Sequence, residues 1–308
     1  MTDQINLAGR DIVSIWDFSR DELEYIFDST AEVERGGSAK VLDGKLVALI
    51  FYEPSTRTFS SFEIAAKRLG SGTTGFTAPD QSSVAKGETL HDTIRMYEGY
   101  GADCIVMRHN LMGASRYAAE VASVPVISGG DGSREHPTQA MVDLYTIRKA
   151  FGKIDGLHIG MLGDLRYGRT ASSLSYALSN YDVEISMVAP DLLSARRETL
   201  RYLNEKGVKL FQVTNVKDVI SSLDVLYVTR IQKERIPDPT EYERVRGLYR
   251  VTLDLLKQGK KGLKVMHPLP RVDELASEID GTDYAGYFVQ AAVGVPLRMA
   301  LLRSVVGG

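Results

Sequence analysis

Lys45-Leu46-Val47-Ala48-Leu49-Ile50-Phe51, followed directly by Tyr52-Glu53-Pro54-Ser55-Thr56-Arg57-Thr58, is the stretch on which the fold turns. Its first half is a short apolar run of buried-strand type. Beyond its second half, Phe59, Phe62, Ile64, Ala65, Ala66 and Leu69 recur at helical spacing, and Gly70 suits a C-cap. The stretch therefore reads as a strand turning into a helix. The first turn of such a helix carries unpaired backbone N–H groups and the positive end of the macrodipole. Hydroxyls from Ser55, Thr56 and Thr58 and the Arg57 guanidinium add donors suited to a phosphate. An ordinary capped helix would share the Ser-Thr pair.

The same alternation continues outward. Strand candidates lie at 46–51, 75–77, 102–107 and 124–128, and again at 158–162, 183–188, 209–212, 225–228 and 264–266. Helical stretches separate them, which predicts an α/β fold of two domains, each a mainly parallel sheet flanked by helices. Between the two groups, Gly129-Gly130-Asp131-Gly132-Ser133-Arg134 is expected to be irregular and placed where a hinge could lie. A helix from 138 to 151 follows. The last helix, about 296–305, is apolar on most sides and is expected to be buried. A length of 308 residues suits two domains.

Composition narrows the class. A net charge of −3 argues against a nucleic-acid partner, and 44% hydrophobic with 25% charged residues is typical of a globular protein. No uninterrupted apolar run reaches the roughly 20 residues that span a bilayer, so no membrane partner is expected. The N-terminal residues show no signal-peptide pattern, and the single cysteine, Cys104, sits in an apolar strand candidate. A cytoplasmic location and an inert buried thiol are expected.

Several further motifs could carry chemistry. Arg108 follows a strand candidate, at the edge where open α/β sheets gather ligands, although a surface arginine reads the same way. His136-Pro137-Thr138-Gln139 opens a helix, so His136 and Gln139 can face one ligand. At a positive helix end the neutral imidazole is favoured, and its N–H can donate to a carbonyl. Gly163-Asp164-Leu165-Arg166-Tyr167-Gly168-Arg169-Thr170 lies between a strand and a helix but lacks Gly-x-Gly-x-x-Gly, which disfavours a dinucleotide-dependent dehydrogenase. Arg169 there and Arg230 in Thr229-Arg230-Ile231-Gln232 offer two guanidinium groups from two strand ends, which suits a dicarboxylate. Ser82-Ser83-Val84-Ala85-Lys86-Gly87-Glu88-Thr89 is a polar loop in which a lysine is ordinarily just solvated. His267-Pro268-Leu269-Pro270-Arg271 is a proline-fixed loop with exposed carbonyls, and a cis bond before Pro270 fits it.

Phe51-x-Glu53-x-Ser55-Thr56-Arg57-Thr58 resembles the carbamoyl-phosphate signature of the aspartate and ornithine carbamoyltransferases, and six motifs follow the family order along nearly the whole chain. The resemblance implies transfer of a carbamoyl group from carbamoyl phosphate to an amine, as an early step of pyrimidine biosynthesis if the amine is aspartate. It implies a carbamoyl-phosphate-binding domain of residues 1–134 plus 290–308 and an aspartate-binding domain of residues 135–289. Ser55, Thr56, Arg57, Thr58, Arg108, His136, Gln139, Leu269 and Pro270 would bind carbamoyl phosphate, with Arg57, Thr58, Lys86, Arg108 and His136 catalytic. Lys86, Arg169, Arg230 and Gln232 would bind aspartate. Ser82 and Lys86 would reach a neighbouring subunit's site, making the working unit a homotrimer, and regulatory chains in a larger assembly are compatible with it. Glu53 would pair with Arg169 and Arg235 on domain closure. Ornithine-specific members carry His-Cys-Leu-Pro and a Ser-Met-Gly loop; here Pro268 replaces the cysteine and Ser-Met-Gly does not occur, so aspartate is favoured. A carbamoyltransferase for another amino acid, such as ornithine, is the alternative, and a non-catalytic scaffold would have lost pocket residues that are present. No cofactor and no metal are called for. Phe59 stands where many members have arginine, and Asn110-Leu111-Met112-Gly113 departs from the His-Pro-x-Glu-Gly that some members use near a regulatory subunit.

Overall fold

An apolar run is what a strand buried on both faces requires, and β1 (Leu46–Phe51) shows why. Ala48 and Ile50 join one buried cluster with Ile94, Tyr97, Ile105 and Met107. Val47, Leu49 and Phe51 alternate to the opposite face and are buried as well. The structure is a computed structural model that describes residues 5–307 except 38, 78–82, 233–235, 237 and 246, with the backbone alone at 239 and 241.

The chain forms two compact units, Met1–Met141 with Val293–Gly308, and Val142–Ala292. The first unit holds α1 (Arg20–Glu34), α2 (Thr56–Arg68), β2 (Gly72–Phe76), α3 (Leu90–Gly99), β3 (Cys104–His109), α4 (Ala114–Val121) and β4 (Val126–Asp131). Its parallel sheet has the order β2-β1-β3-β4. The chain leaves this unit within α5 (Pro137–Phe151). The second unit carries β5 (His158–Leu162), α6 (Arg169–Leu178), β6 (Glu184–Val188), α7 (Arg197–Glu205), β7 (Lys209–Val213), β8 (Val225–Val228), α8 (Pro239–Val245), α9 (Leu253–Leu256) and β9 (Lys264–Met266). Its parallel sheet has the order β7-β6-β5-β8-β9. The last helix, α10 (Tyr287–Val306), returns to the first unit.

Three sequence expectations are corrected. Strand β2 begins at Gly72 rather than near 75, because a half-exposed edge strand needs no continuous apolar run to announce it. Strand β4 continues through Gly129, Gly130 and Asp131, where the glycine-rich sequence predicts irregular chain. Gly129 is there for space: a Cβ on it would lie 3.2 Å from the Phe51 ring and 3.3 Å from the Met107 carbonyl oxygen. The third correction is α10, which runs twenty residues from Tyr287 with Pro296 inside it. An interior proline costs a helix roughly 3 kcal/mol. Full burial of Leu297, Leu301 and Leu302 contributes about 1.5–3 kcal/mol per side chain and outweighs that cost.

Helix α10 is also long and apolar enough, by length and composition, to cross a membrane, but 56% of the relevant window is buried inside the protein. Arg298 from this helix lies 4.9 Å over the Phe62 ring of α2, tying the returning chain to the first unit. Cys104 is buried in β3, and burial pushes its thiol well up, so it is inert.

Candidate active site

In each sheet the strand order reverses beside the first strand, between β1 and β3 in the first unit and between β5 and β8 in the second. Ligands of open α/β sheets gather outside the carboxyl ends at such points. The register decides which residues meet there. Phe51 is opposite Arg108, and the Tyr52 N–H donates to the Arg108 carbonyl at 2.8 Å. Arg108 is thereby brought to the 52–58 turn. Its Nε donates to Glu53 Oε2 at 2.9 Å, and its Nη1 lies 3.3 Å from Ser55 Oγ and 3.4 Å from the Gly129 carbonyl. Glu53 thus orients a guanidinium within its own unit.

Ser55 is the N-cap of α2 in extended conformation, yet its side chain makes no capping hydrogen bond. Arg57 is exposed on the first turn, and Thr58 is buried. Pro137 opens α5, and the His136 carbonyl accepts from the N–H groups of Gln139 and Ala140 at 3.0 and 3.1 Å. Thr58 Oγ1 and His136 Nε2 stand 3.4 Å apart, so two helix N-termini converge on one place. Their dipoles and N–H groups add to the Arg57 and Arg108 charges.

Residues that sequence reading passed over hold this arrangement. The buried Glu135 carboxylate accepts from Ser14 Oγ and the Ile15 N–H at 2.9 Å, fixing the residue just before His136; burial pushes its carboxyl up. Asp131 accepts from the N–H groups of Gly113 and Ser115, at 2.8 and 3.3 Å, joining the end of β4 to the start of α4. His109 accepts the Leu111 N–H on Nδ1, stacks 4.6 Å from the Tyr52 ring, and is held below its ordinary value by burial. Its role is structural. Lys86 is exposed at the end of a 3-10 turn, Ser83–Lys86. Ser82 and Arg235 lie outside the described residues.

In the second unit, Leu162 of β5 pairs with Val188 on one side and Val228 on the other. The Thr229 N–H donates to the Leu162 carbonyl at 2.8 Å, setting the turn after β8 against the turn after β5. Arg169 is buried as the first residue of α6, and Arg230 and Gln232 are half-buried on the neighbouring turn. Asp164, fully buried, accepts from the Tyr167 N–H at 2.8 Å and from the Gln232 N–H at 3.2 Å, so one carboxylate joins both turns. The sequence signal for it was a carboxylate between two turn glycines after a buried strand. After β9, the Leu269–Pro270 peptide is cis and Leu269 has φ 56°. Arg271 pairs with Asp280, and that hydrogen bond pulls the Asp280 carboxyl down to about 2. A cavity of about 760 Å³ opens beyond Leu162, Pro190 and Thr214 but contains none of the expected site residues. No cluster of three or more potential metal ligands occurs among the described residues.

Fold and site together define a two-domain α/β protein with a cationic site at the switch point of each sheet. A family model described as the aspartate/ornithine carbamoyltransferase carbamoyl-P binding domain matches residues 10–149, and its Asp/Orn binding domain counterpart matches residues 155–305. The aspartate carbamoyltransferase catalytic subunit of Hyperthermus butylicus is 56% identical, over 97% of this chain and 96% of its own length. That of Thermococcus kodakarensis is 53% identical over 97% of each chain. Among solved structures, the aspartate transcarbamoylase catalytic subunit of M. jannaschii superposes with a TM-score of 0.88 at 46% identity, covering 96% of this chain and 97% of its own. The Trypanosoma cruzi aspartate transcarbamoylase, in complex with carbamoyl phosphate and aspartate, superposes with a TM-score of 0.91 at 36% identity, covering 97% and 98%. The chain belongs to the aspartate/ornithine carbamoyltransferase family.

Proposed function

We propose that this chain transfers the carbamoyl group of carbamoyl phosphate to L-aspartate, yielding N-carbamoyl-L-aspartate and phosphate, an early step of pyrimidine biosynthesis. The observation that carries the reading is the convergence of two helix N-termini, through Thr58 and His136, beside Arg108. Ser55, Thr56, Arg57, Thr58 and Arg108 bind the phosphate. His136 donates to the carbamoyl oxygen, and Gln139 with the Leu269 and Pro270 carbonyls aligns the carbamoyl nitrogen. Arg169, Arg230 and Gln232 take the two carboxylates of aspartate, which supports a dicarboxylate over ornithine, whose side chain ends in an amine. The first unit is the carbamoyl-phosphate domain and the second the aspartate domain.

The neutral amine of aspartate attacks the carbamoyl carbon, the C–O bond to phosphate breaks, and the departing phosphate takes the amine proton. No covalent enzyme intermediate is needed, so the rate enhancement comes from positioning and preorganised charge. The test is a product assay with carbamoyl phosphate and each of aspartate, ornithine and N-acetylornithine. Aspartate alone should be carbamoylated, and a preference for either other amine would overturn the assignment.

Lys86 serves a neighbouring subunit in a cytoplasmic homotrimer. Its exposed position on a short turn, none of whose residues is buried, supports that role. Lys86→Ala and Arg57→Ala chains, each inactive, should regain activity when mixed under subunit exchange. At equal amounts, one half of sites keep Arg57 and one half of their neighbours keep Lys86, so about a quarter of sites are intact. Mass spectrometry showing exchange without any recovered activity would put Lys86 in its own chain's site.

A further inference from the structure

The buried polar residues of the second unit form a chain that ends on the proline loop. Tyr227 hydroxyl donates to Asp143 Oδ2 at 2.8 Å, and Gln290 Nε2 donates to Asp143 Oδ1 at 2.6 Å. Gln290 Oε1 accepts the His267 N–H at 2.8 Å. The His267 ring then faces two ways. Its Nδ1 accepts the Leu269 N–H at 2.8 Å, so the ring proton sits on Nε2, 2.7 Å from Glu274 Oε1. Glu274 also accepts the N–H groups of Val272 and Asp273 on the far side of the loop. Burial pushes the Glu274 carboxyl up, but the His267 ring and backbone donors more than offset this and hold it below the ordinary range.

All of these residues are buried: Asp143 and Tyr227 are 0% exposed, Gln290 and His267 1%, and Glu274 7%. Burying so many polar groups is tolerated only when each is satisfied, and such a network then selects one geometry. Leu269 needs that selection. It is the one residue other than glycine with positive φ among the described residues, and an L side chain does not hold this conformation unaided. The other end of the chain, at Tyr227, interacts with Thr170, which follows Arg169 directly. Asp143 lies one turn beyond Gln139 on α5.

We infer that His267 is a positioning residue for carbamoyl transfer: anchored by Gln290 and Asp143 behind and Glu274 beside it, it holds the Leu269 N–H so that the Leu269 and Pro270 carbonyls face the carbamoyl nitrogen. The inference rests on the proposed reading of those two carbonyls. The acceptor on Nδ1 is the working contact, and the Glu274 contact orients the ring.

The test compares three variants of the full chain: His267→Asn, His267→Gln and His267→Leu. Asparagine can present Oδ1 to the Leu269 N–H where Nδ1 stood, whereas glutamine reaches toward Glu274 instead. Turnover per folded protein and the aspartate KM are measured separately, with the folded fraction taken from near-UV circular dichroism. His267→Asn should retain at least about a third of wild-type turnover, while His267→Gln and His267→Leu lose about 10²-fold in kcat. Aspartate KM should stay within about threefold, because the lost contact acts on the carbamoyl group in the transition state. Equal turnover of the Asn and Gln variants, or a loss confined to thermal stability, would overturn the inference. If His267→Leu does not fold, the Asn and Gln pair decides alone. Failure of the unmutated chain to carbamoylate aspartate would instead remove the underlying reading, so the two failures are distinguished by the wild-type control.

Discussion

Arg57→Ala should lower carbamoyl transfer by about 10²–10³, the usual loss when one preorganised charge in a reaction site is removed. Arg57 is exposed on the first turn of α2, away from the buried face formed by Phe62, Ala65 and Ala66. The substitution therefore leaves the helix register and core untouched, and alanine is a better helix former than arginine. Thermal unfolding should stay within about 2 °C of wild type, as surface changes cost at most about 0.5 kcal/mol. Steady-state assays with both substrates saturating, alongside circular dichroism melts, give the two numbers needed. Near-wild-type turnover would take Arg57 out of the phosphate site, and the α2 half of the functional reading with it.

A single methyl group at Gly163 should damage the second unit. Gly163 has φ 118°, and a Cβ there would stand 2.2 Å from the Thr229 carbonyl oxygen and 2.8 Å from Thr229 Oγ1. Backbone contacts this close cannot relax by a rotamer change, because the Thr229 N–H is bonded to the Leu162 carbonyl. Gly163→Ala should cost about 3–5 kcal/mol through combined backbone strain and overlap. That corresponds to a fall in melting temperature of roughly 10 °C for a unit of this size. Spreading the turns after β5 and β8 also separates Arg169 from Arg230 and loosens Asp164 from Gln232. Aspartate KM should rise further than carbamoyl phosphate KM, which depends on the first unit. Unchanged melting and unchanged aspartate dependence together would show that the two turns can part at no cost.

Much of this was open to a reader of the residues. The run 45–51 has to be buried on both faces, which fits only a central strand, and the spacing from Phe59 to Leu69 is helical. Strand, turn and helix are local matters, set by side-chain period and capping chemistry within a dozen residues. The two arginines after β5 and β8 could be singled out in the same way, as charges immediately following buried strands. What misled was glycine. Gly129 and Gly130 look like a loop, yet both are strand residues: the missing side chain of Gly129 makes room for Phe51 and Thr58, while Gly130 takes φ 126°. A sequence reports that a glycine is present, not whether it supplies conformational freedom or space.

The pairings that make the site are another matter. Thr58 and His136 are 78 residues apart, Asp164 and Gln232 are 68 apart, and Asp143 and Gln290 are 147 apart. No periodicity links such positions. They meet because the strand orders β2-β1-β3-β4 and β7-β6-β5-β8-β9 bring particular strand ends side by side, and the register then selects which residue on each end faces which. Linear order settles the inventory of donors, since each local element carries its own polar residues to a strand end. Their partners, down to the carboxylates of Glu53, Glu135, Asp164 and Glu274 that orient them, are chosen by sheet order and burial, because a hydrogen bond between distant segments exists only once packing has excluded water from both.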